Sequence, residues 1–250
     1  DAELPLAILR AIQAVRRKEA LGVVAKVSFD PAANGSTSQL LDSLVIRLAD
    51  KRNIAVPMTN RVTSDSKITG GYVHDVEAGL HPWIAVLDFK SMYPSIIIDC
   101  NLCFTTLSDD GDVKTPHGVR FQTPEVRRGL LPELLEGLMA ERDSAKRAEA
   151  AATGAEAEHY RRVQEAIKIL MNSVYGVFAS YFYRFTNLDI GASITAYARE
   201  AVRDIIAELE SEGLAVIYGD TDSVFFGSPH DNKAETVAFG GAIAARYSGG

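Results

Sequence analysis

The sequence predicts an α+β fold, and three observations predict it. Amphipathic helical stretches occupy the start of the chain and much of residues 127–212; a short apolar run, Ile84-Ala85-Val86-Leu87, ends at an acid, Asp88; and a strand–turn–strand pattern surrounds Gly219-Asp220-Thr221-Asp222. A hairpin of that kind is antiparallel, so the β part is expected as an antiparallel sheet backed by helices.

The elements follow in order. Residues 1–26 read as one helix, with Leu6, Leu9, Ile12, Ala14 and Val15 on one face. A polar break at Pro31-Ala32-Ala33-Asn34-Gly35-Ser36 precedes a second helix over about Thr37–Asn53, whose stripe is Leu40, Leu41, Leu44, Val45 and Leu48. Pro57 to Lys67 is polar and irregular, a linker. Gly70-Gly71-Tyr72-Val73 begins a new unit, and the strand ending at Asp88 is followed by a Ser/Tyr/Pro turn. After a loop around Asp109–Pro124, a helical hairpin has arms at about Arg127–Ala151 and Ala155–Ala179, turning at Ala152-Thr153-Gly154. A further helix spans about Ile190–Glu212 and stops at Gly213. Leu214–Tyr218 and Ser223–Phe226 are the arms of the β-hairpin.

Composition is that of an ordinary globular chain, 47% hydrophobic and 24% charged. No apolar run reaches the ~20 residues a membrane helix needs, and no signal-peptide pattern opens the chain, since Arg10, Arg16, Arg17 and Lys18 interrupt its first apolar stretch. With two cysteines, Cys100 and Cys103, a reduced cytoplasmic setting is expected. Their C-x-x-C spacing lacks the second pair of ligands a structural zinc needs, so they are read as packing or surface residues. The net charge of −7 argues against a DNA-binding surface, although it averages over the whole chain.

Three clusters carry chemistry. Asp220 and Asp222 at a hairpin tip project in similar directions, and such oxygens suit Mg²⁺; an ordinary solvated turn would also explain them. Asp88 closes a strand, where a sheet would hold a carboxylate rigidly. If the two strands pair, the acids could share two metal ions suited to in-line phosphoryl transfer. On the helical hairpin, Gln164, Lys168, Asn172 and Tyr175 recur along one face, opposite the pair Arg142 and Lys146. Arms offering Arg and Lys to one space would clamp a polyphosphate, and Gly176 leaves room for a base; a solvated basic face is the plainer account of each charge singly.

Taken together, the clusters resemble family B DNA polymerases. Asp88-Phe89-Lys90-Ser91-Met92-Tyr93-Pro94-Ser95-Ile96-Ile97 is similar to that family's motif A, Lys168-Ile169-Leu170-Met171-Asn172-Ser173-Val174-Tyr175-Gly176 to motif B, and Tyr218-Gly219-Asp220-Thr221-Asp222-Ser223 to motif C, in the family's order and over residues 67–230. The resemblance implies DNA-directed DNA synthesis. Asp88 and Asp222 would bind two Mg²⁺ ions with the Phe89 carbonyl, and Asp220 would be an accessory carboxylate. Backbone N–H groups of Ser91, Met92 and Tyr93, with Arg142, Lys146 and Lys168, would hold the dNTP triphosphate. Asn172 would support the nucleotide pocket, Tyr175 would pack on the nascent base pair, and Tyr93 would exclude a 2′-hydroxyl. Gly70, Gly71 and Gly176 would approach DNA.

Domains implied are an exonuclease remnant and linker at 1–66, palm at 67–124 and 181–250, and fingers at 125–180, with the thumb lying beyond Gly250. Asp1-Ala2 would end an exonuclease motif. Ile68 departs from the family, since many members have tyrosine there. Implied partners are primed DNA template, dNTPs and a sliding clamp reached through regions outside this stretch, the protein itself being a monomer associated with the nucleoid. A non-catalytic polymerase-like module is the competing reading; a reverse transcriptase or RNA polymerase is disfavoured by Tyr93 and by the Gly-Asp-Thr-Asp-Ser turn.

Overall fold

The computed structural model describes residues 3–58, 68–178, 180 and 183–248. Asp1-Ala2, most of the expected linker (59–67) and the terminal glycines therefore lie outside the described residues. Four strands form one antiparallel sheet in the order β1 (Val73–His74), β5 (Val216–Asp220), β6 (Ser223–Gly227), β2 (Ile84–Asp88). The β5–β6 hairpin thus lies in the centre, flanked by β1 and β2, although α5 to α8 intervene in sequence between β2 and β5.

The sheet is covered by α8 (Leu188–Ser211) and α9 (Lys233–Tyr247). Val202, Ile205, Ile206 and Leu209 of α8 and Ile243 of α9 share one core with Ala85, Val216, Val224 and Phe226. Along β6 the pleat alternates, Val224 and Phe226 buried and Phe225 half-buried, as a strand with one packed face requires. Asn187 caps α8 by accepting from the Ile190 N–H at 3.1 Å. At its other end Gly213 adopts φ +81°, Gly213 N–H bonds Glu210 and Leu214 N–H bonds Leu209, a Schellman ending.

A second core lies under the helical hairpin α6 (Leu130–Ala151) and α7 (Gly154–Phe178). Leu131, Leu135 and Leu138 meet Ile167, Leu170, Met171 and Val174, and Leu40, Leu41, Leu44 and Val45 of α4 (Thr37–Lys51) join them. Full burial of each such side chain contributes about 1.5–3 kcal/mol. The start of α6 is fixed by buried Asn101, which donates to Gln122 and Arg127 carbonyls and accepts from the Gly129 N–H at 2.8 Å. Cys103, fully buried beside it, accepts from Thr105 and from the Leu131 N–H.

Several sequence expectations are corrected. The helix expected over 1–26 is two, α1 (Glu3–Ala11) and α2 (Ala14–Ala25), broken at left-handed Gln13, whose Oε1 accepts from Arg162 at 3.0 Å. α1 buries no residue, and Leu6, Leu9, Ile12 and Val15 are all exposed. The break at 31–36 contains a short helix, α3 (Phe29–Asn34). The Ser/Tyr/Pro turn is the start of α5 (Met92–Asp99), where Pro94 sits within the first turn and its missing N–H costs nothing. The 109–124 loop contains a small β-hairpin, β3 (Val113–Lys114) with β4 (Arg120–Phe121). The strand expected at Leu214–Tyr218 begins at Val216, because Leu214 is spent on the ending of α8.

Candidate active site

The sheet register builds the site. Asp88 pairs with Ser223 across β2–β6, and Asp220 pairs with the same Ser223 across β5–β6, so both acids end their strands beside the two-residue turn Thr221-Asp222. The Phe89 N–H donates to the Asp222 carbonyl at 2.8 Å and fastens the end of β2 to that turn. Thr221 holds φ +56°, a left-handed conformation rarely adopted by a β-branched residue; its N–H donates to the Tyr72 carbonyl at 2.8 Å.

A cavity of about 590 Å³ opens above the turn. It is lined by Asp88, Phe89, Lys90, Ser91, Met92, Tyr93, Pro94, Thr221 and Asp222 from the strand ends and the start of α5, and by Arg142 and Lys146 of α6 and Lys168 and Asn172 of α7. The structure therefore brings together ten residues singled out from sequence: Asp88, Phe89, Ser91, Met92, Tyr93, Arg142, Lys146, Lys168, Asn172 and Asp222. Tyr175 lies behind Tyr93, ring centroids 4.5 Å apart. Asp220 is not part of the lining: its carboxylate accepts from Thr221 Oγ1 at 2.9 Å and from Tyr218 at 3.3 Å. Gly70 and Gly176 face open space, whereas Gly71 lies against Thr221, where a Cβ would come within 2.8 Å of Oγ1. Gln164 is half-buried and outside the cavity.

The electrostatics are polarised. Burial, then Asp88, then Asp220 push the Asp222 carboxyl above its usual range. Burial raises the Tyr93 phenol, with Tyr175 and Asp222 adding to the shift. In the same lining, Arg142, Lys146 and Lys168 form no ion pair or side-chain hydrogen bond with any other described residue, and Arg142 Nε is buried without a partner. Unpaired cations sharing a cavity with crowded carboxylates suit a ligand that carries both anions and cations.

Among the described residues no group of three His, Cys, Asp or Glu side chains forms a metal-holding cluster. The pair Asp88 and Asp222 nevertheless fits a hard divalent ion. Both are carboxylates, they repel each other, and Mg²⁺ is commonly held by one or two carboxylates with phosphate and water completing its shell.

Residues 27–249 match the sequence model of DNA polymerase family B. The chain belongs to that family. It is 33% identical to the DNA polymerase delta catalytic subunit of Drosophila melanogaster over 90% of this chain and 23% of the relative. It is 35% identical to a DNA polymerase of Desulfurococcus over 82% of this chain and 27% of that one. The chain thus spans about a quarter of the length of the curated relatives it matches. The family B DNA polymerase of the hyperthermophilic archaeon Pyrobaculum calidifontis shares the fold, with a TM-score of 0.74 at 24% identity, covering 94% of this chain and 31% of the other. No helix among the described residues is long and apolar enough to cross a membrane.

Sequence reasoning assigned no role to Lys90 or Thr221, both in the cavity lining. Lys90 lies two positions after Asp88, which was signal enough. The place of Thr221 depends on the fold of the hairpin tip.

Proposed function

We propose that this chain carries the catalytic centre of a DNA-directed DNA polymerase, adding deoxynucleotides to the 3′-hydroxyl of a primed template. The observation that carries the proposal is the cavity that Asp88 and Asp222 line together with unpaired Arg142, Lys146 and Lys168. The sheet with α8 and α9 corresponds in this reading to the palm (67–124 and 181–250), and α6–α7 to the fingers (125–180). Residues 1–66 correspond to the end of an exonuclease domain and a linker.

Asp88 and Asp222, with the Phe89 carbonyl, would hold two Mg²⁺ ions, which supply positive charge and an activated oxygen for in-line displacement. Arg142, Lys146 and Lys168 bind and orient the triphosphate, and the α-phosphorus faces the primer hydroxyl. Their charge also offsets the negative charge that grows on the leaving pyrophosphate. The first-turn N–H groups of α5, from Ser91 through Tyr93, add donors to phosphate oxygens. Tyr93, braced by Tyr175, fills the space a 2′-hydroxyl would need, and Asn172 lines the nucleotide pocket. Gly70 and Gly176 leave the DNA room to approach, Gly71 instead being packed on Thr221, and Asp220 serves as an accessory carboxylate. A sliding clamp would reach the protein elsewhere.

Primer extension with dNTPs and Mg²⁺, wild type beside Asp222→Asn, tests this. Extension by the wild type that disappears in the variant is the expected result. DNA binding without extension by either protein would make the chain a binding module instead.

A further inference from the structure

Helix α8 presents a second device, along the segment that leads to the turn of Asp222. Gly191, Thr195, Arg199 and Arg203 recur every four residues and form one stripe. The segment 68–72 lies along it. Ile68 rests on Gly191, where an added Cβ would come within 2.7 Å of Ile68 Cδ1. Thr195 Oγ1 donates to the Thr69 carbonyl at 2.9 Å. One nitrogen of Arg199 donates to both the Thr69 carbonyl, at 2.9 Å, and the Gly70 carbonyl, at 2.7 Å. The Arg203 guanidinium covers the Tyr72 ring at 4.8 Å.

The far end of this strap meets the turn that carries Asp222. Gly71 abuts the Thr221 side chain, the Tyr72 carbonyl accepts the Thr221 N–H at 2.8 Å, and Val73 pairs with Asp220. Thr221 is the left-handed residue of the turn, a conformation that persists only where its surroundings impose it. Arg199 has no carboxylate partner among the described residues, so its strongest contacts are the two carbonyls. Its charge also opposes the rise of the Tyr93 and Tyr175 phenols, which puts it within electrostatic reach of the site.

We infer that Arg199 is a positioning residue: by clamping the Thr69 and Gly70 carbonyls it seats the strap that holds Thr221, and through Thr221 it fixes the direction of the Asp222 carboxylate. As it concerns the reaction, the inference rests on the polymerase reading above; as it concerns the strap, it does not. A guanidinium suits the task because its charged donors hold two carbonyl oxygens at once. Since a single nitrogen makes both bonds, a lysine ammonium can replace it, whereas an uncharged chain of similar length cannot.

The test measures amide hydrogen exchange in the full chain for wild type, Arg199→Met, Arg199→Lys and Thr195→Val. In Arg199→Met the Thr221 amide is expected to lose about tenfold or more of its protection, the factor that one charge-assisted hydrogen bond supports. Amides within α8 should stay as protected as in the wild type. Arg199→Lys should restore most of the Thr221 protection, and Thr195→Val, which leaves Arg199 in place, should fall between. Unchanged Thr221 protection in Arg199→Met, or equal loss in the lysine variant, overturns the inference. Steady-state primer extension adds the second readout. A fall of about tenfold or more in kcat, with KM for dNTP nearly constant, is the expected pattern for a displaced carboxylate. A raised KM at constant kcat would instead make Arg199 a nucleotide-binding residue. Should the wild type extend no primer, the polymerase reading fails and the exchange experiment still decides the strap.

Discussion

Neutralising Asp222 should have opposite effects on the protein without and with Mg²⁺. Its carboxyl is pushed above the ordinary range by burial and by Asp88 and Asp220. The folded protein therefore holds that proton more tightly than the unfolded chain does. Ionisation costs stability as pH rises through and beyond the usual carboxylate range. Asp222 is only partly buried and solvent screens the repulsion, so Asp222→Asn should gain no more than about 1 kcal/mol. With Mg²⁺ the sign reverses. At ten times its Kd, a ligand of the native state alone adds about 1.4 kcal/mol. In a chain of 250 residues that raises Tm by about 3 °C. Scanning calorimetry at neutral pH with and without Mg²⁺ should thus show Asp222→Asn at or above the wild-type Tm without the ion and unresponsive to its addition. A variant that keeps the Mg²⁺ increment, or that melts well below the wild type without the ion, would refute the assignment of Asp222 as a metal ligand in a repulsive pair.

Three further outcomes follow from the same structure. Arg142→Ala removes a cation from the cavity wall and should raise KM for dNTP about tenfold or more in steady-state extension, with the Tm of the free protein unchanged or raised, because the lost guanidinium carries a buried Nε that no described residue pairs with. Tyr93→Ala deletes the ring that packs on Tyr175 and should increase ribonucleotide incorporation; unchanged discrimination in single-nucleotide assays would remove Tyr93 from the sugar-selecting role. Phe226→Ala empties a fully buried position between the sheet and its helices, and should cost about 3–5 kcal/mol in denaturant unfolding without altering which nucleotides are accepted.

The site was legible in the sequence because its chemistry is local. Asp88 ends an apolar run, Asp220 and Asp222 share one turn, and Lys168 and Asn172 lie one helical turn apart. Each of these groups shows within a dozen residues; the sheet then joins the acids, and the α6–α7 hairpin brings Arg142 and Lys146 to the same cavity as Lys168 and Asn172. What stayed hidden depends on distant partners or weak signals. The break at Gln13 needs Arg162, 149 positions away. Pro94 reads as a turn former until its place in a first helical turn is known. Two-residue strands such as β3 and β4 are too short to display a period. Arg199 looks like one more charge on an amphipathic helix, and its meaning rests on carbonyls about 130 positions earlier in the chain. Asp220 and Asp222, alike in sequence, part company because Tyr218 and Thr221 claim the first and leave the second facing the cavity.

The net charge of −7 is the clearest case of a global number concealing a local one. Part of the positive charge is engaged elsewhere among the described residues: Arg52 with Glu133, Arg128 with Glu136, Arg161 and Arg162 with Glu158, Arg184 with Asp42, Arg246 with Glu208 and Glu212. The cations that line the cavity are left out of those pairings. An unpaired Arg142 whose Nε is shut away from water costs free energy unless an anion completes it. A fold selected only for stability would place a carboxylate there; the carboxylates in the lining are Asp88 and Asp222, which repel each other. On the proposed reading, a single ligand with phosphates toward the cations and divalent ions toward the carboxylates would relieve both. Where charge remains uncompensated is thus a sharper guide to what the cavity takes than how much charge the chain carries.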